Sequence, residues 1–216
     1  MARTKRVWFW LVVIVAIGLI LAFAFWLDPV VRNWLVGHPN RQLRIVMAQI
    51  SRFGDWLEHI IFGLLLLLIA WWRGNKKWTR IFVAMLIACA IAGAATRVVK
   101  ITAGRARPSV KTELGWNGPR LSEKYHAFPS GHVAISSAFF GVLCFASWRI
   151  GVPCLVIPFV IAVARMYVGA HYLSDVVFAA MLGLACAWLV ARIMKVKSGA
   201  KQCEPPLGQN AGSARL

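Results

Sequence analysis

The stretch Phe128-Pro129-Ser130-Gly131-His132 joins a polar segment of the chain to an apolar segment that follows it directly. Pro129 suits the first turn of a helix, Ser130 can cap free backbone N–H groups, and Gly131 lets the backbone approach a ligand closely. A helix start carries unpaired N–H donors and partial positive charge, so this corner can bind an oxyanion. His132 would hold a transferable proton there. An ordinary capped helix start is also compatible with these five residues. The rest of the chain is needed to distinguish it from an anion-binding site.

The composition is that of an integral membrane protein with one domain. Of the 216 residues, 60% are hydrophobic and 15% are charged, whereas soluble domains usually have about 25% charged residues. Apolar runs long enough to cross about 30 Å of hydrocarbon recur along the chain. The net charge is +18, but the basic residues flank apolar runs and do not share one soluble face. This pattern favours membrane anchoring and excludes nucleic acid as the partner.

The apolar runs predict an all-α, polytopic fold with six transmembrane helices in one domain, residues 1–197. The predicted spans are about 7–27, 56–72, 78–95, 133–148, 154–168 and 175–194. The first run is longer than a signal-peptide core and continues past Ala22-Phe23-Ala24, which resembles a cleavage site, so we interpret it as a retained span. The polar residues 198–216 are predicted to form a disordered cytoplasmic tail.

The role of residues 28–55, between the first two predicted spans, stays open. Apolar residues recur here every three or four positions, opposite arginines; the apolar set is Leu43, Val46, Met47, Ile50, Phe53 and Leu57, and the basic set is Arg41, Arg44 and Arg52. The pattern is typical of an amphipathic helix on the membrane surface. A short connecting helix packed on the bundle fits the same residues.

The basic residues of the short connections predict the orientation of the chain. With six spans, the basic N-terminus and the connections containing Arg73–Arg80, Arg149 and Arg192–Lys201 fall on one side. Short loops rich in Lys and Arg stay in the cytoplasm, so both termini are predicted to be cytoplasmic. The outer ends of spans three to six then face the periplasm in a bacterial inner membrane.

Three polar clusters are predicted to meet at these outer ends. They are Lys100 with Arg107-Pro108, the stretch Pro129–His132, and Arg165 with His171 and Asp175. Ionisable residues at membrane depth are costly and mark a functional site by default. Cations and histidines together suit a highly charged anion.

A metal site formed by His132, His171 and Asp175 is the competing interpretation. We reject it because the positive charges of the first and third clusters would repel a metal ion while attracting a phosphate. We therefore predict that the site uses no metal and no other cofactor.

Residue types and spacings suggest chemical roles. His171 and Asp175 are four apart, so the carboxylate could accept a proton from one ring nitrogen and leave the other as a nucleophile. The same pair could equally cap the last span. Lys100 and Arg107 are seven apart, so one helical face could present both to a phosphate; each alone could be an interfacial anchor. His132 would protonate the leaving oxygen.

In this order and spacing, Lys100-x6-Arg107-Pro108, Pro129–His132 and Arg165-x5-His171-x3-Asp175 resemble the type-2 phosphatidic acid phosphatase superfamily, which also contains vanadium haloperoxidases and glucose-6-phosphatase. The resemblance implies that His171 attacks phosphorus, assisted by Asp175, and forms a phosphohistidine, and that His132 is the acid for the leaving group. It implies that no metal is required and that the phosphoryl oxygens are held by Lys100, Arg107, Ser130, Gly131 and Arg165. The family usually has Ser before the third-cluster arginine, where this chain has Ala164.

The loop of residues 109–128 should cover the site and influence specificity, although an ordinary exposed connection is the alternative. Candidates for substrate contacts in or near it are Arg97, Arg105, Trp116, Tyr125 and His126. The two arginines are extra cations that would suit a diphosphate or an acidic headgroup, and interfacial anchoring explains them equally well.

The expected function is a lipid phosphatase of a bacterial inner membrane, acting on a membrane lipid phosphate at the periplasmic face. Undecaprenyl diphosphate, phosphatidylglycerol phosphate, phosphatidic acid and lipid A 1-phosphate are all compatible substrates. A phosphotransferase sharing the phosphohistidine is the first alternative. A catalytically silent lipid-binding or transport protein is the second. The residue pattern predicts no particular oligomeric state.

Overall fold

Within residues 2–110 and 115–196, which the computed structural model describes, the chain folds into eight α-helices. In chain order they are α1 Ala2–Gly37, α2 Arg41–Arg52, α3 Trp56–Trp72, α4 Lys76–Ala103, α5 Gly131–Ala146, α6 Trp148–Cys154, α7 Val156–Tyr167 and α8 Leu173–Ile193. One 3-10 turn, Glu123–Tyr125, and one isolated β-bridge complete the regular structure of these residues. The predicted all-α class is confirmed; the predicted tail, 198–216, lies outside the described residues.

Four helical stretches are long and apolar enough to cross a membrane: Val7–Gly37, Lys76–Ala103, Trp148–Tyr167 and Leu173–Ile193. α2 and α3 pass the same test as a pair, bent by 53°, which makes five if the pair is one span. α5 is apolar but has only 16 residues, against about 20 for a full crossing. The described part of the chain is therefore a polytopic membrane fold with four or five candidate spans, where the sequence predicted six.

Several helices extend past the predicted limits of the spans. α1 continues through residues 28–37, and α4 continues beyond residue 95 to Ala103. The connection at 149–153, between the fourth and fifth predicted spans, is helical and belongs to α6. The exposed apolar side chains of this segment explain the difference, because a helix satisfies its own backbone hydrogen bonds where apolar side chains face lipid.

α5 lies at the centre of the helix packing, with 11 of its 16 residues buried. It packs closely on α8: a Cβ added to Gly183 would lie 2.3 Å from the Ala134 carbonyl oxygen. Small residues allow this approach of two helix backbones in a membrane protein. The beginnings of the two helices also meet, since the Ser130 N–H donates to the Asp175 carbonyl oxygen at 3.2 Å. The second and third polar clusters are thereby joined.

Candidate active site

α4 ends just after the lysine of the first cluster. Gly104 has φ +57°, and a Cβ at this position would lie 1.7 Å from the Gly118 carbonyl oxygen. Only glycine adopts this conformation in this space, so it stops the helix. Arg107 therefore lies on the following loop, where its N–H donates to the Lys124 carbonyl oxygen at 3.0 Å. The prediction that Lys100 and Arg107 share one helical face is wrong for this physical reason.

The three clusters nevertheless converge. Lys100 is close enough to Arg107, Arg165 and Asp175 to interact with each electrostatically. A Cβ added to Gly131 would lie 3.4 Å from the Lys100 Nζ atom, so the ammonium group faces the start of α5. The last turn of α4, the following loop, the start of α5 and the end of α7 together form one cationic region.

The side chain of Ser130 does not cap α5. Ser130 is the N-cap residue of α5, but its side chain makes no capping hydrogen bond, although the sequence predicted one. The residue is fully buried, and its Oγ has no hydrogen-bond partner in the described part of the chain. A buried hydroxyl without a partner is costly, so it favours binding of a polar group at this position.

His171 lies in the loop between α7 and α8, and its ring is oriented by a backbone carbonyl. The Nδ1 atom is 2.6 Å from the Ala127 carbonyl oxygen and 3.7 Å from Asp175 Oδ2. A carbonyl only accepts hydrogen bonds, so Nδ1 carries the proton and Nε2 carries the lone pair. Nε2 lies 3.4 Å from Arg165 Nη2. Nε2, the nitrogen with the free lone pair, therefore faces the cationic region.

The surroundings of His171 keep its ring neutral. Burial of the side chain, followed by the positive charges of Arg165 and Lys100, holds the pKa of His171 well below its ordinary value of 6.5. At neutral pH the Nε2 lone pair is therefore not blocked by a proton. A neutral imidazole beside cations can attack an electrophilic phosphorus that these cations hold.

Asp175 is fully buried and bonded mainly to groups other than His171. Its Oδ2 accepts a hydrogen bond from the Tyr172 N–H at 2.7 Å, which caps α8. Its Oδ1 accepts one from the Arg105 guanidinium. The sequence left open whether Asp175 orients His171 or caps the last span. In the structure Asp175 caps α8, and its Oδ2 atom lies 3.7 Å from the Nδ1 atom of His171.

Arg105 connects Asp175 to a second buried carboxylate that the sequence did not single out. Its Nη2 donates to Asp28 Oδ2 at 2.6 Å, and its Nη1 donates to Ser174 Oγ at 2.7 Å. The guanidinium lies 4.2 Å from the centre of the Tyr172 ring. Arg105 is 7% exposed and balanced by two carboxylates. Arg105 therefore holds two buried carboxylates together, whereas the sequence suggested either a cation for a diphosphate or an acidic headgroup, or an interfacial anchor.

One buried donor from each cluster has no hydrogen-bond partner in the described part of the chain. These atoms are Arg107 Nε, Ser130 Oγ and Arg165 Nε. Buried polar groups are normally paired, so three such donors at one place need an explanation. An anion with several oxygens, such as a phosphoryl group, would satisfy all three.

A residue of α2 positions Arg165 by a hydrogen bond, which the sequence did not predict. Its Nη1 donates to the Ser51 hydroxyl at 2.9 Å, and Ser51 is buried in the last turn of α2. The serine that usually precedes this arginine in the family is Ala164 here. No sequence signal identifies Ser51, because a single serine on an amphipathic helix is common.

His132 is the second residue of α5 and lies beneath the joint between α2 and α3. A Cβ added to Gly54 would lie 3.3 Å from His132 Cβ and Cδ2. Arg165 and Lys100 are close enough to act on its ring electrostatically. His132 therefore borders the same cationic region as His171.

The remaining candidates lie in different surroundings. His126 is buried, with Nε2 donating to the Arg120 carbonyl oxygen at 2.9 Å. Tyr125 lies beneath the Arg120 guanidinium, and Arg97 is exposed on α4. Trp116 is half exposed, and its ring centre lies 5.4 Å from that of Phe128. Of this set, His126 bonds within its own loop, and the Trp116 ring packs against Phe128 and the Arg105 guanidinium.

The described residues contain no group of three or more His, Cys, Asp or Glu side chains that could hold a metal ion. The charged groups around His171 are instead mostly cations. The donor set fits an anion on electrostatic grounds.

A family model described as the PAP2 superfamily matches residues 78–198. No curated protein matches the chain. One similar solved structure is that of the first transmembrane PAP2 type phosphatidylglycerolphosphate phosphatase from Bacillus subtilis, with 18% identity and a TM-score of 0.67, covering 87% of this chain and 98% of that one. Another is LpxE from Aquifex aeolicus, with 18% identity and a TM-score of 0.55, covering 77% and 95%.

The two structural likenesses show a shared fold, and the family match covers more than half of the chain. The matched residues include all three clusters, from Lys100 to Asp175. The resemblance noted from the sequence is confirmed, and it supports a phosphoric ester hydrolase. The chain belongs to the PAP2 superfamily.

Proposed function

We propose that the chain is an integral membrane lipid phosphatase that removes a terminal phosphoryl group through a phosphohistidine at His171, without a metal. The observation that carries the proposal is the set of three unpartnered donors, one from each cluster, beside a neutral histidine. Lys100, Arg107, Ser130, the Gly131 backbone and Arg165 would hold the phosphoryl oxygens.

In the first step, the Nε2 lone pair of His171 attacks phosphorus. The P–N bond forms as the bond from phosphorus to the lipid oxygen breaks, and His132 donates a proton to that oxygen. In the second step, water attacks the phosphohistidine, gives its proton to His132, and breaks the P–N bond. Inorganic phosphate leaves, and His171 and His132 return to their first states.

The fold supports a lipid substrate, because the cationic region lies at the ends of apolar helices. We extend the proposal to six spans, with α5 and the bent α2–α3 pair each counted as a crossing. The site would face the periplasm of a bacterial inner membrane, with both termini in the cytoplasm, as the basic connections favour. The Bacillus subtilis neighbour is named for phosphatidylglycerolphosphate, so that lipid is among the first substrates to try.

Purified protein in nonionic detergent tests the proposal, by phosphate release from a panel of lipid phosphates with excess EDTA. The panel contains the four lipids named from the sequence. His171→Ala should abolish release, whereas His38→Ala, at an exposed histidine at the end of α1, should not change it. Loss of release with EDTA would contradict the metal-free mechanism. Faster transfer to an acceptor lipid than to water would instead establish a phosphotransferase. No release from any lipid would favour a lipid-binding role, and equal release by His171→Ala would contradict a phosphohistidine at this residue.

A further inference from the structure

A cavity of about 540 Å³ opens beside His171. Its walls come from the end of α1, the start of α2, the loop before α8 and the residues directly after Arg107. The volume falls in the range of about 300–1,000 Å³ that is typical of small-molecule sites. The cavity therefore has room for a chemical group beyond the phosphoryl group at the catalytic histidine.

Three arginines give this cavity a positive charge: Arg32, Arg41 and Arg44. No described Asp or Glu side chain lies within 4.0 Å of their guanidinium groups. Arg32 Nη2 instead donates to the Pro108 carbonyl oxygen at 3.3 Å. This bond ties the arginine to the loop that carries Arg107.

The acidic residue that lines the cavity does not cancel this charge. Asp28 accepts hydrogen bonds from Arg105 at 2.6 Å and from the Ser174 N–H at 2.8 Å. It also accepts one from the Ser174 hydroxyl at 2.6 Å. Its carboxylate is thus already paired and buried.

A further polar group of the cavity wall has no partner. Tyr167 lines the cavity, and its buried hydroxyl has no hydrogen-bond partner among the residues that the structure describes. The rest of the wall is largely apolar and includes Val31, Leu35, Met166 and Leu173. The cavity thus offers cations on an apolar support, which suits the headgroup region of an anionic lipid.

We propose that this cavity binds a second anionic group in the headgroup of the substrate, next to the phosphoryl group that His171 attacks. The inference rests on the proposed phosphatase function. A single phosphoryl group already has Lys100, Arg107 and Arg165 as cationic partners. Arg32, Arg41 and Arg44 are exposed, but all three line this one cavity beside His171, a placement that suits another negative charge.

The proposal names the substrate class as a lipid diphosphate, or a phospholipid with a terminal phosphate in addition to its phosphodiester. Phosphatidic acid, with one phosphate, would leave the cavity without an anion. The headgroup role that the sequence suggested for Arg105 thus belongs to arginines of α1 and α2.

Kinetics with two lipids of identical acyl chains test this specificity in nonionic micelles. The lipids are phosphatidylglycerol phosphate and phosphatidic acid. In the variant Arg41→Gln/Arg44→Gln, kcat/KM for the two-phosphate lipid should fall about tenfold or more, chiefly through KM, because charge-assisted hydrogen bonds are lost. For phosphatidic acid it should change less than about twofold, because that lipid has no group in the cavity. Arg52→Gln, on the same helix but outside the cavity, is the matched control.

An equal loss for both lipids would overturn the proposal, since it would indicate a general defect. An anionic neighbour lipid is another source of the second charge. In that case, adding phosphatidylglycerol would raise wild-type activity on phosphatidic acid and the double variant would not respond; this outcome also overturns a site for the substrate's own group.

Binding to the His171→Ala protein separates this inference from the proposed function. Phosphatidylglycerol phosphate should bind His171→Ala about tenfold or more tightly than it binds the protein that also carries Arg41→Gln and Arg44→Gln. If wild type hydrolyses neither lipid but the two arginine substitutions still weaken binding, the phosphatase proposal is wrong and the proposed anion site in the cavity is supported. If wild type hydrolyses the lipids but the substitutions do not weaken binding, only the cavity proposal is wrong.

Discussion

The His171 Nδ1 atom lies 2.6 Å from the carbonyl oxygen of Ala127. This bond joins the loop that carries His171 to the residue just before the Phe128–His132 stretch. It holds the proton on Nδ1 and directs the Nε2 lone pair toward the cations, with no carboxylate needed as the acceptor. Asp175 then acts mainly through the start of α8 and through Arg105.

The first prediction concerns the protonation of His171. Burial and the charges of Arg165 and Lys100 hold its pKa well below 6.5. Because the pKa is lowered, the ring should remain neutral as the pH falls through 6.5 and gain its proton only at more acidic pH. NMR of protein with isotope-labelled histidine would follow this titration, with His171→Ala identifying the signal. A midpoint at or above 6.5, or a proton on Nε2 at neutral pH, would contradict the account.

The second prediction concerns the buried pair of Asp28 and Arg105. Asp28→Asn removes one of the two carboxylates that balance the Arg105 guanidinium, and breaking a buried ion pair costs about 3–5 kcal/mol. We expect a lower Tm and a lower kcat, because Arg105 also positions Asp175. Asp28→Glu should restore part of both. Thermal unfolding in detergent and phosphate release measure the two effects, and an unchanged Tm for Asp28→Asn would refute the role of the pair.

The third prediction concerns Ser51, which accepts a hydrogen bond from Arg165 at 2.9 Å. Ser51→Ala should lower kcat/KM about three- to tenfold, because the guanidinium loses a fixed partner. Ser147→Ala, at a serine whose side chain makes no capping bond, is the control. Activity equal to wild type in Ser51→Ala would show that Arg165 needs no support from α2.

The fourth prediction compares two glycines with positive φ. Gly104→Ala would place a Cβ 1.7 Å from the Gly118 carbonyl oxygen, whereas Gly74 has open space around its Cβ position. Gly74→Ala should cost only the strain of a left-handed backbone, about 1–2 kcal/mol. Gly104→Ala should destabilise the protein much more and reduce activity, since it displaces the loop that carries Arg107. Similar Tm values for the two variants would contradict the assigned role of Gly104.

The helical class and the order of the three clusters could be predicted because apolar runs and motif spacing are local features. The partners of the side chains could not, because they come from distant parts of the chain. Asp28 and Arg105 are 77 residues apart, and Ser51 and Arg165 are 114 apart. Asp28 did leave a signal: it is one of only 7 acidic residues and lies at the end of an apolar run. Ala127 left no such signal in the sequence, because the group that accepts the hydrogen bond from His171 is its backbone carbonyl, which every residue has.

Trapping the covalent intermediate tests the central claim most directly. Protein would be mixed with a lipid carrying a radiolabelled terminal phosphate, quenched with alkali within milliseconds to seconds, and examined for bound label. The account predicts label on wild type that is stable in alkali and lost in acid, as expected for a P–N bond, and none on His171→Ala. Label that survives acid, or equal labelling of His171→Ala, would contradict a phosphohistidine at this residue.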